Sequence, residues 1–166
     1  MFLTDELCML MCVVCVFAVC IGTNGRMSVP SNRDHHYRNL RDRYTNCTYV
    51  DGNLELTWLK DENQDLSFLQ YIREVTGYVL ISHVDVPRIV LPRLQIIRGR
   101  TLFKLNIYDK DFALLVTLSK MNNLEMPALR GKQAALYCSE VIGLHLQMQG
   151  HSVLRLHVVP ACWTCR

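Results

Sequence analysis

Asn46-Cys47-Thr48-Tyr49-Val50-Asp51-Gly52-Asn53-Leu54-Glu55-Leu56 packs a glycosylation acceptor, a cysteine, a tight turn and the start of a strand into eleven residues. Asn46-Cys47-Thr48 fits the N-x-Thr sequon, which is used only by a chain that enters the secretory pathway, where Cys47 would be oxidised. Asp51-Gly52 reads as a turn. Leu54, Leu56 and Trp58 alternate with Glu55 and Thr57, the pattern of a half-buried strand.

Working outward, the apolar run recurs. Gly77 to His83, Leu94 to Gly99 and Phe112 to Thr117 are further short runs rich in Leu, Ile and Val. They follow one another at roughly twenty residues, inside the window where repeats signal stacked units. Each unit is too small to bury its own apolar face, which predicts a solenoid whose neighbours share one core. Lys60 to Asp65 and Asp85 to Arg88 would then be solvated corners. An ordinary α/β or sandwich domain with strands at similar spacing is the competing architecture.

Ahead of the first run, Ser31 is placed to cap a helix with Asp34 at its third position. Tyr37, Leu40 and Tyr44 fall on one face at spacings of three and four. The Arg-rich stretch Arg33 to Arg43 is diluted by Asp34 and Asp42, which argues for a solvated helix over a nucleic-acid patch. His35-His36 point in different directions on such a helix and cannot chelate one metal together.

Half the residues are apolar and the formal net charge is +3, which excludes a disordered polyelectrolyte. No G-x-S-x-G, H-E-x-x-H, phosphate-binding glycine loop or kinase signature occurs in the sequence, so no catalytic residue, metal ligand or cofactor is expected. Cys162-Trp163-Thr164-Cys165 has redox or zinc half-site spacing without a second C-x-x-C to complete four ligands.

Several blocks, in order, resemble the first receptor L domain of the epidermal growth factor receptor family, its insect members above all. They are Cys20 to Pro30, His35 to Tyr44, Asn46 to Trp58, Asp65 to Leu69, Ile72 to Asp85, Leu94 to Phe103 and Met126 to Arg130. The resemblance implies a mostly β fold of mixed α/β class, an incomplete right-handed β-helix of Leu-rich-repeat type with one amino-terminal helix. It also implies a disulfide between Cys20 and Cys47, worth about 3 to 4 kcal/mol for a loop of roughly 28 residues.

In that family the first L domain forms one wall of a cleft that holds an EGF-like growth factor, partly by laying a ligand strand along its amino-terminal strand. By motif position, Met27 and Val29 on an edge strand Arg26 to Val29 match that ligand-facing edge. Trp58, His83 and Lys104 match contacts on the flat face. Trp58 is expected as an exposed aromatic anchor. The complete receptors are membrane tyrosine kinases that dimerise, so the implied partners are a growth factor, bound weakly or not at all by this fragment alone, and a second receptor for the complete protein, at the cell surface.

The ends depart from the family. Met9 to Cys20 is a run of twelve apolar residues, long enough for a secretory signal and too short to span a bilayer as a helix. Its acidic leading segment, with Asp5 and Glu6, leaves residues 1–19 open between a signal peptide and a misassigned start. Residues 131–166 carry no recognised motif beyond the C-x-x-C and are expected to be read-through sequence. Residues 20–130 remain as a partial L domain. A self-standing secreted Leu-rich-type interaction module, without a signalling role, is the alternative function, and an enzyme built on the C-x-x-C tail a third.

Overall fold

A computed structural model describes residues 18–25, 32–105 and 110–130, together with the backbone of three later strands. In order the elements are β1 (Val19–Ile21), α1 (Arg33–Tyr44), β2 (Tyr49–Asp51), β3 (Leu54–Thr57), a 3-10 turn (Ser67–Leu69), β4 (Glu74–Val75), β5 (Val79–Ser82), β6 (Arg88–Val90) and β7 (Ile96–Ile97). They continue as β8 (Phe103–Leu105), β9 (Lys110–Phe112), β10 (Leu114–Thr117), β11 (Asn123–Met126), β12 (Leu136–Ser139), β13 (Leu144–Gln149) and β14 (Val153–Val158). The fold is mostly β with one helix.

The helix begins one residue later than the capping pattern predicts. Asn32, not Ser31, is the N-cap: its side-chain oxygen accepts the amides of Asp34 and His35 at 2.9 and 3.2 Å. Ser31 lies outside the described residues. Asparagine caps as well as serine, and its amide oxygen reaches the same two orphan donors. The inward face is His36, Leu40 and Tyr44, with Tyr37 half-buried. His36 was expected to matter only as a failed metal pair. It is buried, and its Nε2 donates to the Thr57 carbonyl at 2.6 Å, fastening the helix to the end of β3.

Open sheets carry the strands. One has the order β1-β2-β4-β7 and another β3-β5-β10-β12, both parallel throughout. In a third, β6 and β11 are parallel, while β14 and β13 add antiparallel neighbours. The β8–β9 pair is antiparallel, unlike the parallel pairs of β2 to β7, β10 and β11. Of the apolar runs, three supply β3, β5 and β10 of one sheet. The Leu94 to Gly99 run instead gives β7, beside β4 in a different sheet.

Between the sheets lies the main core, with Leu54, Leu56, Leu59, Leu69, Ile72, Ile81, Ile89, Leu91, Leu94 and Leu114 fully buried. β3 was expected to be half-buried, yet all four of its residues are buried. A second cluster, Tyr78, Leu80, Phe112 and Leu115 with Phe103 against it, covers the outer side of this sheet. The β8–β9 hairpin brings Phe103 and Phe112 there, and burial of their rings drives that closure.

The corner from Asp85 to Arg88 is less solvated than expected. Val86 is buried, and Asp85 pairs with Lys60 at 3.2 Å. At the opposite end, Cys20 and Cys47 form the disulfide that the resemblance implies, with Cα atoms 5.9 Å apart, stitching β1 to the entry of β2.

Candidate functional site

Strands β3, β5 and β10 run in register, so Thr57, Ser82 and Thr117 are paired neighbours at one end of the sheet. The residue after each is Trp58, His83 and Leu118. All three have left-handed backbone, with φ of 58°, 56° and 50°. Side chains other than glycine adopt this region at a cost of about 1 to 3 kcal/mol, and such strain gathers at functional positions. Here the same turn, repeated on adjacent strands, aims three large side chains off the sheet end as a ladder.

The rungs touch. The rings of Trp58 and His83 stack at 4.0 Å between centroids with 11° between planes. Trp58 is therefore half-buried, a correction to the freely exposed anchor expected, because the imidazole covers one indole face. Leu118 is 50 % exposed, an apolar side chain left in water beside them. Lys60 stands 6.0 Å over the Trp58 ring while its ammonium is paired with Asp85.

Burial lowers the His83 pKa below its ordinary value, the nearby Lys60 charge lowers it further, and Asp85 opposes both. The imidazole is thus neutral at pH 7 and sits 2.8 Å from the Ser82 hydroxyl through Nδ1. Neutral imidazole and indole present an apolar, polarisable surface suited to protein contact rather than proton transfer. Among the described residues no group of three or more His, Cys, Asp or Glu gathers to hold a metal ion.

Lys104 lies on β8, opposite Asp111 of β9, and is exposed. It belongs to the hairpin, not to the ladder. Met27 and Val29 lie outside the described residues, as do Cys162 and Cys165. The backbone leading toward Met27 is anchored: Gly22 and Thr23 amides donate to Asp51 and Asn53 carbonyls, each at 2.8 Å. Asn46 is exposed just past the helix, in left-handed conformation with φ 60°.

Leu118 is the rung that sequence reasoning missed. Its signal was present in three of the four runs: β3, β5 and β10 each end in Thr or Ser, and the next residue is the rung, as in Thr57-Trp58, Ser82-His83 and Thr117-Leu118.

Comparison with known proteins gives this arrangement a context. The receptor L domain family model matches residues 46–147, running past Arg130 into the segment where no motif was recognised. The epidermal growth factor receptor of Drosophila melanogaster is 71 % identical over 112 residues, 68 % of this chain and 8 % of that protein. The melanoma receptor tyrosine-protein kinase of Xiphophorus maculatus is 43 % identical over 109 residues, 66 % of this chain and 9 % of the relative. The receptor tyrosine-protein kinase erbB-2 of Rattus norvegicus is 48 % identical over 86 residues, 52 % of this chain and 7 % of the relative. The chain thus spans under a tenth of the length of these relatives. Family match, identity and fold agree, and the chain belongs to the receptor L domain family, in its epidermal growth factor receptor branch.

Proposed function

We propose that this chain contributes one wall of a growth-factor-binding cleft on the outside of the cell, with the ladder of Trp58, His83 and Leu118 as its central contact. The observation that carries the reading is that ladder: three adjacent strand ends hold strained backbone to present an indole, an imidazole and an exposed leucine together. An EGF-like ligand offers the complementary small apolar surface. Met27 and Val29, by their match to the ligand-facing edge, and Lys104, on the hairpin, are proposed flanking contacts.

The same reading takes the three sheets as sides of an incomplete right-handed coil. Its support is the order in which chain segments visit them: β4, β5, β6 and then β7, β10, β11 revisit the sheets in the same sequence. Asn46 is proposed as a glycan site, on its exposure and sequon. Dimerisation with a second receptor and kinase signalling are proposed for the complete protein, with localisation at the cell surface. Among the described residues no helix is long and apolar enough to cross a membrane.

Replacing the matching part of the Drosophila relative's ectodomain with residues 20–130 and measuring epidermal growth factor binding tests the proposal. Trp58→Ala should cost more than about 1 kcal/mol in affinity if the indole is an anchor. Binding by the exchanged ectodomain that ignores Trp58→Ala would place the site elsewhere on the domain, and an exchanged ectodomain that binds no growth factor would favour the self-standing module.

A further inference from the structure

Glu55 and Tyr78 are both buried on the outer side of the β3–β5 sheet, at 3 % and 8 % exposure. The Tyr78 hydroxyl donates to Glu55 Oε1. The other carboxylate oxygen, Oε2, accepts the backbone amide of Gly25 at 3.2 Å. On its far side the Tyr78 ring meets Phe103 of the hairpin edge-on, with centroids 5.5 Å apart and planes at 74°. A single buried pair thereby touches two separate flanks, the segment Gly22 to Gly25 and the β8–β9 hairpin.

We propose that the Tyr78–Glu55 pair is a positioning unit for the binding face, fixing the segment Gly22 to Gly25 and the seat of the hairpin that carries Lys104. This rests on the growth-factor-binding reading above. The physical reason lies in the asymmetry of buried hydrogen bonds: made, each contributes modestly; unmade, each leaves a desolvated polar group. If the Gly25 amide departs, a carboxylate oxygen is stranded in an apolar setting. An apolar pair of equal volume would fill the same space and hold nothing. Burial above all, reinforced by the acceptor carboxylate, raises the Tyr78 pKa beyond its ordinary range, so the hydroxyl remains a donor at physiological pH. Gly25, at φ +70°, supplies the turn that brings its amide to the carboxylate.

Amide hydrogen exchange on the full 166-residue chain, and an NMR titration on the Drosophila relative's ectodomain carrying residues 20–130, because one wall alone should bind weakly or not at all, test the proposal. Tyr78→Phe deletes the hydroxyl and keeps the ring on Phe103; Glu55→Gln keeps the shape and removes the charge, and serves if the first variant folds poorly. Exchange at Gly25 should rise about tenfold in Tyr78→Phe, while Val79 and Ile81 stay within about twofold. Unchanged Gly25, or equal acceleration at all three, overturns the proposal, since the pair would then be idle or a general stabiliser.

In the titration, epidermal growth factor should shift both the Trp58 indole and Gly25 in the wild type. Tyr78→Phe should keep the first response and lose the second; keeping both overturns positioning while sparing the ligand reading. Response at neither in the wild type sinks the ligand reading, and positioning as proposed falls with it, leaving only whatever local ordering the exchange data show.

Discussion

Asn53 and Gly77 compete for one place. A β-carbon built on Gly77 would fall on the side-chain oxygen of Asn53, within 2.7 Å of the Thr101 hydroxyl and 2.9 Å of the Gly52 carbonyl. That Asn53 oxygen accepts from the Tyr78 amide at 3.2 Å and from Thr101 at 2.8 Å, binding three chain segments through one atom.

Gly77→Ala should therefore destabilise the chain by about 1 to 3 kcal/mol, the ordinary cost of overpacking, and break the Asn53 contacts as it does so. Urea unfolding checks this. Asn53→Ala combined with Gly77→Ala should cost less than the sum of the single changes, because the second finds the space already vacated.

Leu118 carries left-handed backbone with half its surface in water. Leu118→Gly should leave stability unchanged or raise it by up to about 1 kcal/mol, since glycine adopts that conformation freely. Binding by the exchanged ectodomain should weaken in the same variant. A clear loss of stability in Leu118→Gly would show that the side chain packs more than its exposure indicates.

His83 gives the face a pH dependence whose direction follows from its lowered pKa. The unfolded chain takes up the proton at a higher pH than the folded one, so stability is complete above an unfolded pKa of about 6.5 and falls as pH drops from there toward the folded value. Comparing thermal midpoints of the wild type and His83→Gln between neutral and mildly acidic pH should show the wild type losing more on acidification. Parallel curves would remove His83 from the account.

Asn46 adjoins Cys47, and the Thr48 hydroxyl and amide both bond to the Ala18 carbonyl, at 3.3 and 3.0 Å. Closure of the Cys20–Cys47 bridge thus draws the sequon into the fold and competes with sugar transfer. Mass spectrometry of chain secreted from eukaryotic cells should find Asn46 partly occupied, and occupancy should rise in Cys20→Ser, which keeps the sequon. The same variant should lose about 3 to 4 kcal/mol of stability by the chain-entropy argument. Free Cys20 in folded wild-type material would contradict both expectations.

The apolar runs, the helix and the disulfide partners were legible because they rest on local periodicity or on motif order. Register, and therefore the ladder, was not: that Trp58, His83 and Leu118 stand side by side depends on which strands pair, and roughly equal spacing also fits β7, which pairs elsewhere. Glu55 read as the solvent side of an alternating strand. It is buried against the Tyr78 hydroxyl and the Gly25 amide, 23 and 30 residues away in sequence, and no short-range pattern announces them. Asn32 displaced Ser31 as cap since both fit the chemistry and only geometry chooses.

Parallel neighbours in a sheet stand about 4.8 Å apart, so the strand ends from β3 to β10 act as a ruler with fixed graduations. Whatever docks there is measured in steps of that length, across roughly 10 Å from the indole to the leucine. Because the backbone of each graduation is set by the turn and not by its side chain, one mark can be rewritten without moving the others. On the proposed reading, recognition would change by single replacements at the sheet end, leaving the core that supports it untouched.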